Sequence, residues 1–249
     1  MQIHYVDGSR LRRSLLAACD YAQRQRDELN RINVFPVPDG DTGTNLTLTV
    51  RAIVDTVEPI RIRSVAEVAQ GAANAAVMGA RGNCGMMLSH FLLGFAEGLS
   101  GYDRVNTTQF CSAFHRGAQS LREALDKPVE GTILTVIHDT ALAATQSTEK
   151  DFVPLLEHLV NEARNSLERT PDLLPVLKTA GVVDAGAKGF VSLLEGVVYL
   201  VDGSLPISAE SQEHEKVVAS PASLMDYPVN QERFRFCTEA LVHGDSLPT

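Results

Sequence analysis

The most chemically loaded stretch of the chain is Asn33-Val-Phe-Pro-Val-Pro-Asp39-Gly-Asp41-Thr-Gly43-Thr-Asn45. Its two prolines stiffen the approach, and Gly40 and Gly43 permit a tight turn that brings the carboxylates of Asp39 and Asp41 to one point. Two carboxylates and the amide oxygen of Asn33 are hard oxygen donors of the kind magnesium takes, with the remaining positions left to water or phosphate. Thr42, Thr44, Asn45 and the backbone N–H groups around them then open a helix, where the positive end of the dipole favours an anion. The plainer alternative is an Asx-turn in which Asp39 or Asp41 caps that helix. An EF-hand is excluded by spacing: counted from Asp39, the positions that need Gly and Glu hold Thr44 and Val50.

A second such stretch is Gly79-Ala-Arg81-Gly82-Asn83-Cys84-Gly85, directly ahead of the apolar run that starts at Met86. A glycine-rich turn opening a helix offers several backbone N–H groups to an anion, and its missing side chains permit close approach. It is neither a Walker A loop nor a dinucleotide fingerprint, and close helix packing through small residues explains it equally well. Two later turns share the form: Pro128-Val-Glu-Gly131-Thr132 and Val183-Asp184-Ala-Gly186-Ala-Lys-Gly189. Each alone reads as a capped helix start. Four polar helix starts gathered at one end of a bundle would make that end a nucleotide site.

The elements that must carry these turns are helices. Leu11, Leu15, Leu16, Ala18, Cys19 and Ala22 form an apolar stripe on a first helix that runs to about Arg31, where Pro36 and Pro38 forbid continuation. Further helices are expected at 44–57, 64–78, 83–99, 107–125, 132–145, 152–169 and 184–200, with a short piece at 173–178. Ser64, Thr107 and Thr132 stand where N-caps are favoured, and Ser64 and Glu67 have capping-box spacing. No stretch within these two hundred residues alternates strictly enough for a half-exposed strand. The predicted fold is therefore all-α, a closed bundle of about eight helices over residues 1–203. Residues 204–227 read as a Ser-, Pro- and acid-rich linker, and 228–249 as the first strand of a further, incomplete domain.

Composition narrows the partners. The chain has 249 residues with 22 Lys plus Arg against 31 Asp plus Glu, a net charge of −9. Such a balance argues against a protein whose whole surface attracts nucleic acid, so a bound phosphate must be neutralised locally. The cysteines at 19, 84, 111 and 237 lie far apart and without zinc spacing, which suits reduced thiols and a cytoplasmic protein. The longest uncharged run, 82–96, is too short to span a bilayer. His90, His115, His138 and His158 fall within helices, where a surface or satisfied core imidazole is the default.

The segments 29–45, 79–83, 129–135, 173–178 and 181–186 resemble the nucleotide-binding domain of dihydroxyacetone-kinase-like (DhaL-type) proteins. Within that family they are most similar to the bacterial fatty acid kinase catalytic subunit. The resemblance spans roughly residues 5–202 and implies a barrel of eight antiparallel helices with Mg-ATP held at one mouth. Carried over by position, it implies that Asn33, Asp39 and Asp41 hold magnesium, in these enzymes as two ions. It implies that Thr42, Thr44, Asn45 and Leu46 lie beside the phosphates and base. Arg81, Gly82, Asn83, Cys84 and Gly85 match the phosphate-contacting turn; Thr132, Asp184 and Gly186 fall in loops bordering the nucleotide. Cys84 and Leu46 depart from the family, which usually has Ser and Met there.

The resemblance further implies a phosphotransferase whose acceptor is a fatty acid presented by a DegV-type lipid-binding protein or fused domain, with a homodimer compatible with it. A fragment ending where this one does would bind ATP yet lack groups that engage the acceptor. Asp39 and Asp41 are then the catalytic residues, acting through magnesium on a loose phosphoryl-transfer transition state. A dihydroxyacetone kinase component is the alternative enzyme, and a non-catalytic module that binds ATP or ADP and regulates a partner is the alternative of another class.

Overall fold

The computed structural model describes residues 2–203; the linker and strand expected at 204–249 lie outside the described residues. Periodic apolar stripes become ten helices: α1 (Gly8–Arg24), α2 (Arg26–Arg31), α3 (Thr42–Val57), α4 (Val65–Gly79), α5 (Gly82–Gly98), α6 (Thr107–Glu123), α7 (Ile133–Gln146), α8 (Phe152–Leu173), α9 (Pro175–Ala180) and α10 (Ala185–Asp202). Eight of them are long, and each packs on two long neighbours. The ring runs α1, α3, α4, α5, α6, α7, α8, α10 and closes back on α1. Because successive long helices reverse direction, the chain forms the expected barrel of eight antiparallel helices. The short α2 and α9 sit in the connections. Two strand residues, β1 (Val6–Asp7), pair antiparallel with β2 (Arg104–Val105), which ties the chain before α1 to the α5–α6 turn.

The barrel interior is apolar. Phe91 of α5 stacks edge-on against Phe114 of α6 at 4.9 Å between ring centres and against Phe190 of α10 at 5.7 Å. Burying rings of this size is a dominant favourable term in such a core. An apolar cavity of about 130 Å³ remains among Leu15, Phe91, Phe95, Phe114 and Phe190. Helices α5 and α6 approach so closely that a Cβ on Gly94 would lie 2.4 Å from that of Ser120, which is why small residues recur on the facing stripes.

Two expectations change in detail. The first helix is not continuous to Arg31: at Gln25 (φ −87°, ψ 1°) the chain leaves helical geometry, and α2 starts afresh. Thr107 is not a cap. Asn106 takes that role, accepting from the Gln109 N–H at 2.9 Å while the Gln109 side chain accepts from the Asn106 N–H at 2.9 Å, a full capping box one residue earlier. Ser64 caps α4 as expected, its hydroxyl accepting from the Glu67 N–H.

Candidate nucleotide site

Alternation around the ring places the N-termini of α3, α5, α7 and α10 at the same end of the barrel. These are the four polar, glycine-bearing starts singled out in the sequence, and side-chain contacts join them. A Cβ on Gly82 would lie 2.6 Å from the Asn45 amide nitrogen, so α5 begins against α3. Gly186 of α10 stands near Cys84 Sγ of α5 and Cβ of Ile133 of α7. Four dipoles thus point their positive ends at one mouth, a standing attraction for an anion.

The α3 start is braced by asparagines. Asn33, buried, donates to the Val37 carbonyl at 3.1 Å and accepts through Oδ1 from Thr42 N–H (3.0 Å) and Thr42 Oγ1–H (2.6 Å). Asn30 of α2 accepts from Thr44 N–H and donates to Thr44 Oγ1, both at 3.0 Å. The two amides thus cap two of the orphan N–H groups of α3, a task Asp41 leaves undone although it occupies the N-cap position. A Cβ on Gly43 would stand 2.0 Å from the Arg26 carbonyl, so only glycine lets α2 lie this close.

Braced in this way, the loop releases its two acids. Asp39 and Asp41 are solvent-accessible. Partial burial, and next the neighbouring Asp41 carboxylate, raise the Asp39 carboxyl above the usual carboxylate range. Two like charges held together are what a divalent cation relieves, so the donor set fits magnesium. Among the described residues no group of three or more His, Cys, Asp or Glu side chains is assembled around a point, so the pair is open rather than a closed cage.

At α5 the N-cap is Arg81, which provides no side-chain cap. Its guanidinium donates to the Ala80 carbonyl at 2.7 Å, and its N–H donates to Thr49 Oγ1 at 3.1 Å. Gly82 adopts φ +59°, a left-handed conformation that turns the chain sharply into the helix. The first N–H groups of α5, at Gly82, Asn83 and Cys84, lack a capping side chain among the described residues, and Asn83 is exposed.

The other two starts are closed. Asp184, 5 % exposed, accepts through Oδ2 from Ala187 N–H of its own helix (2.7 Å) and from Ile133 N–H of α7 (3.1 Å), and the Gly186 N–H also points to its carboxylate. Burial pushes its carboxyl up to about 6 even though these N–H groups pull it down. Thr132, also buried, donates to the Val129 carbonyl (2.8 Å) and accepts from Leu134 N–H (3.3 Å). Cys84 is buried beside Asp184; desolvation, and next that carboxylate, push its thiol up to about 12, which leaves it an inert small side chain.

The residues named from the sequence therefore divide. Asp39, Asp41, Asn45, Gly82, Asn83, Cys84, Gly85, Asp184 and Gly186 gather around the mouth. Leu46 does not face it: only 1 % exposed, it packs on Gly189 of α10 and belongs to the core, because it lies on the inward face of α3. The hydroxyls of Thr42, Thr44 and Thr132 are engaged within the scaffold. Sequence reasoning missed Asn30, Thr49 and Thr170. Thr49 holds Arg81 N–H and lies against Gly85, and Thr170 accepts from Asp184 N–H at 3.2 Å. Each is a short polar residue on a helix face, and only a count of orphan N–H groups at the helix starts would have pointed to them.

The sequence profile of the DAK2 domain matches residues 36–199. The chain belongs to the DAK2-domain family. Protein YloV of Bacillus subtilis is 37 % identical over 256 residues, covering 98 % of this chain and 45 % of that protein. An uncharacterized protein of Staphylococcus saprophyticus is 37 % identical over 242 residues, covering 95 % and 44 %. This DAK2-domain chain thus spans less than half the length of the curated relatives it matches. Among solved structures, the dihydroxyacetone kinase of C. freundii in complex with AMP-PNP and Mg²⁺ superposes with a TM-score of 0.60 at 16 % identity, over 76 % of this chain and 33 % of that one. At that identity the likeness establishes the fold: the DAK2 domain here is a DhaL-type helical barrel.

Proposed function

We propose that the mouth holds Mg-ATP and that the domain is the nucleotide-binding part of a phosphotransferase. The observation that carries this reading is the pairing of an open two-carboxylate loop, Asp39 and Asp41, with the uncapped start of α5 at Gly82 and Asn83, joined through Asn45. A carboxylate pair alone would repel ATP, and a helix start alone would bind any small anion. Together they suit a phosphate chain that arrives with its cation. The fold neighbour crystallised with AMP-PNP and Mg²⁺ supports the same assignment.

In this reading Asp39 and Asp41 hold the metal, and Asn33, whose oxygen already accepts two bonds from Thr42, braces the loop from behind. Bound magnesium supplies charge neutralisation of the phosphates. The N–H groups at Gly82, Asn83 and Cys84 fix the phosphate chain, and Gly82 and Gly85 keep its approach free of side chains. A second ion would rest mainly on phosphate oxygens and water. For the acceptor we infer a fatty acid carboxylate presented by a DegV-type lipid-binding protein or domain, on the form of the Asn-Val-Phe-Pro-Val-Pro approach to the acids.

Calorimetric titration of the chain with ATP, with and without Mg²⁺, tests the site. Binding is expected only with the metal and is expected to weaken at least about a hundredfold in Asp39→Ala/Asp41→Ala, the loss of a charge-assisted cation site. Magnesium-independent binding indifferent to both substitutions sinks the assignment. For the acceptor, ATP turnover by a full-length relative is compared with fatty acid plus its binding protein and with dihydroxyacetone. Turnover only with the ketone moves the family member to the ketone branch, and turnover with neither makes it a regulatory module.

A further inference from the structure

The pole opposite the mouth carries the other concentration of charge. Helix α1, with 17 residues and thus about 25 Å long, leads from this pole toward the α2 turn beside the mouth. Three segments meet here: residues 5–13, 58–67 and 102–104. Gly8 N–H donates to the Arg63 carbonyl at 2.7 Å, Val65 N–H to the Asp103 carbonyl at 3.0 Å, and Asp7 pairs with Arg104 across the β ribbon. They bring together Arg10, Arg12, Arg13, Arg61, Arg63 and Arg104, against only Asp7, Glu58, Glu67 and Asp103, so the patch is net positive in a chain whose total is −9.

These guanidiniums have not been neutralised by neighbours. Among the described residues none of the six lies within 4.0 Å of a carboxylate, which they share with the scattered Arg31, Arg51 and Arg81, whereas Arg24, Arg26, Arg116, Arg122, Arg164 and Arg169 each have such a partner. Arg12 and Arg61 donate to the Glu58 main-chain carbonyl, Arg10 donates to that of Tyr5, and Arg104 lies over the Tyr5 ring at 5.0 Å. Between them stand exposed apolar groups, Tyr5 (48 %), Ile62 (42 %) and Tyr102 (39 %).

Arginine interleaved with tyrosine and an exposed isoleucine on one tip is the composition that a lipid headgroup layer accommodates: guanidiniums on phosphates, phenol rings at the interface, an aliphatic side chain just beneath. We propose that this pole docks on an anionic membrane surface. A nucleic acid would use the arginines but gains nothing from Ile62 at the tip of its loop, whereas a bilayer uses both. The acidic mouth, at the far end, is then turned away from the lipid charge and stays open to solvent. This inference is independent of what the mouth binds.

Flotation of the full chain with phosphatidylcholine vesicles containing about one third phosphatidylglycerol tests it, beside vesicles of phosphatidylcholine alone. Binding to the anionic vesicles only, weakening as salt is raised, is the result expected. Arg61→Glu/Arg63→Glu should lower it about tenfold or more, with ATP binding and the far-ultraviolet circular dichroism unchanged. Ile62→Ser should remove the part that survives high salt. The proposal is overturned if the wild type fails to float with anionic vesicles at low salt. It is also overturned if the arginine double variant floats as well as the wild type, or if a single-stranded oligonucleotide is bound while the vesicles are not.

Discussion

The mouth has two halves that solve the same problem in opposite ways. Where α7 and α10 begin, the orphan N–H groups are consumed internally, by Asp184 across both helices and by Thr132 within its own turn. Where α5 begins, nothing among the described residues caps the helix, and glycine replaces the side chain that would have filled the space. The α3 start lies between, capped by Asn30 of α2 and by Asn33 of the loop that follows it, so that its acids remain free. On the proposed reading, the helix start left open beside one that is closed is where donors are kept for the phosphate. The closed half then positions the open half, since Cys84 of α5 lies beside the Asp184 carboxylate.

The largest change should come from the closed half. Asp184→Ala leaves the buried N–H groups of Ile133 and Ala187 without a partner at once, and a loss of about 3 kcal/mol in urea unfolding is expected. If stability holds while only nucleotide affinity falls, Asp184 belongs to the ligand and the contrast between the halves is wrong. On the open side, Gly82→Ala puts a Cβ into a left-handed residue and against Asn45. ATP affinity by calorimetry should drop about tenfold, for a stability cost of only about 1 to 2 kcal/mol. A variant that binds ATP normally would show that the α5 start is packing alone.

Acidity separates the halves as well. The Asp184 carboxyl is raised to about 6 in the folded protein, so the fold holds its proton more tightly than the unfolded chain does. The contribution is full below the unfolded value near 4 and is lost as pH rises through about 6. Stability should therefore increase between pH 7 and pH 5 rather than decline, by about 1 kcal/mol from this group. The raised Asp39 acts in the same direction. Asp184→Asn, which keeps one acceptor oxygen but cannot titrate, should flatten most of this slope in urea midpoints measured across that range. An unchanged slope would assign it to Asp39 or to another group.

Much of the barrel was legible because helix starts, glycine turns and apolar stripes are local signals. Six of the eight long helices and the helix starts at all four mouth turns fall within one or two residues of their expected limits, whereas the first helix stops seven residues early and α8 runs four residues further, to Leu173. What escaped was non-local. Gln25 breaks α1 with no glycine or proline to announce it, so that α2 can lie against Gly43. Leu46 was expected beside the base from the resemblance alone, yet its neighbour Gly189, far along the chain, draws it into the core. Asp184 was readable as a cap but not as a tie between two helices, because its second partner, Ile133, stands 51 residues away.

The smallest expected effect is at Cys84, on the seam between the halves. Its side chain is buried against Gly186 and Asp184, and a thiol held near 12 stays protonated at any physiological pH. Cys84→Ser exchanges a weak donor for a stronger one of similar size beside an acceptor, the Asp184 carboxylate, that can receive it. The cost of burying a hydroxyl and the gain of that bond nearly cancel, so a change within about 1 kcal/mol is expected in urea unfolding. ATP affinity should move less than about threefold, because in the proposed site this turn meets phosphate through main-chain N–H groups that the substitution leaves in place. A thiol reagent should label the folded wild type at Cys84 only on the timescale of unfolding. Rapid labelling at that residue, slowed by ATP, would mean that the seam opens to solvent in the free protein, and that the closed half is closed only when the open half is filled.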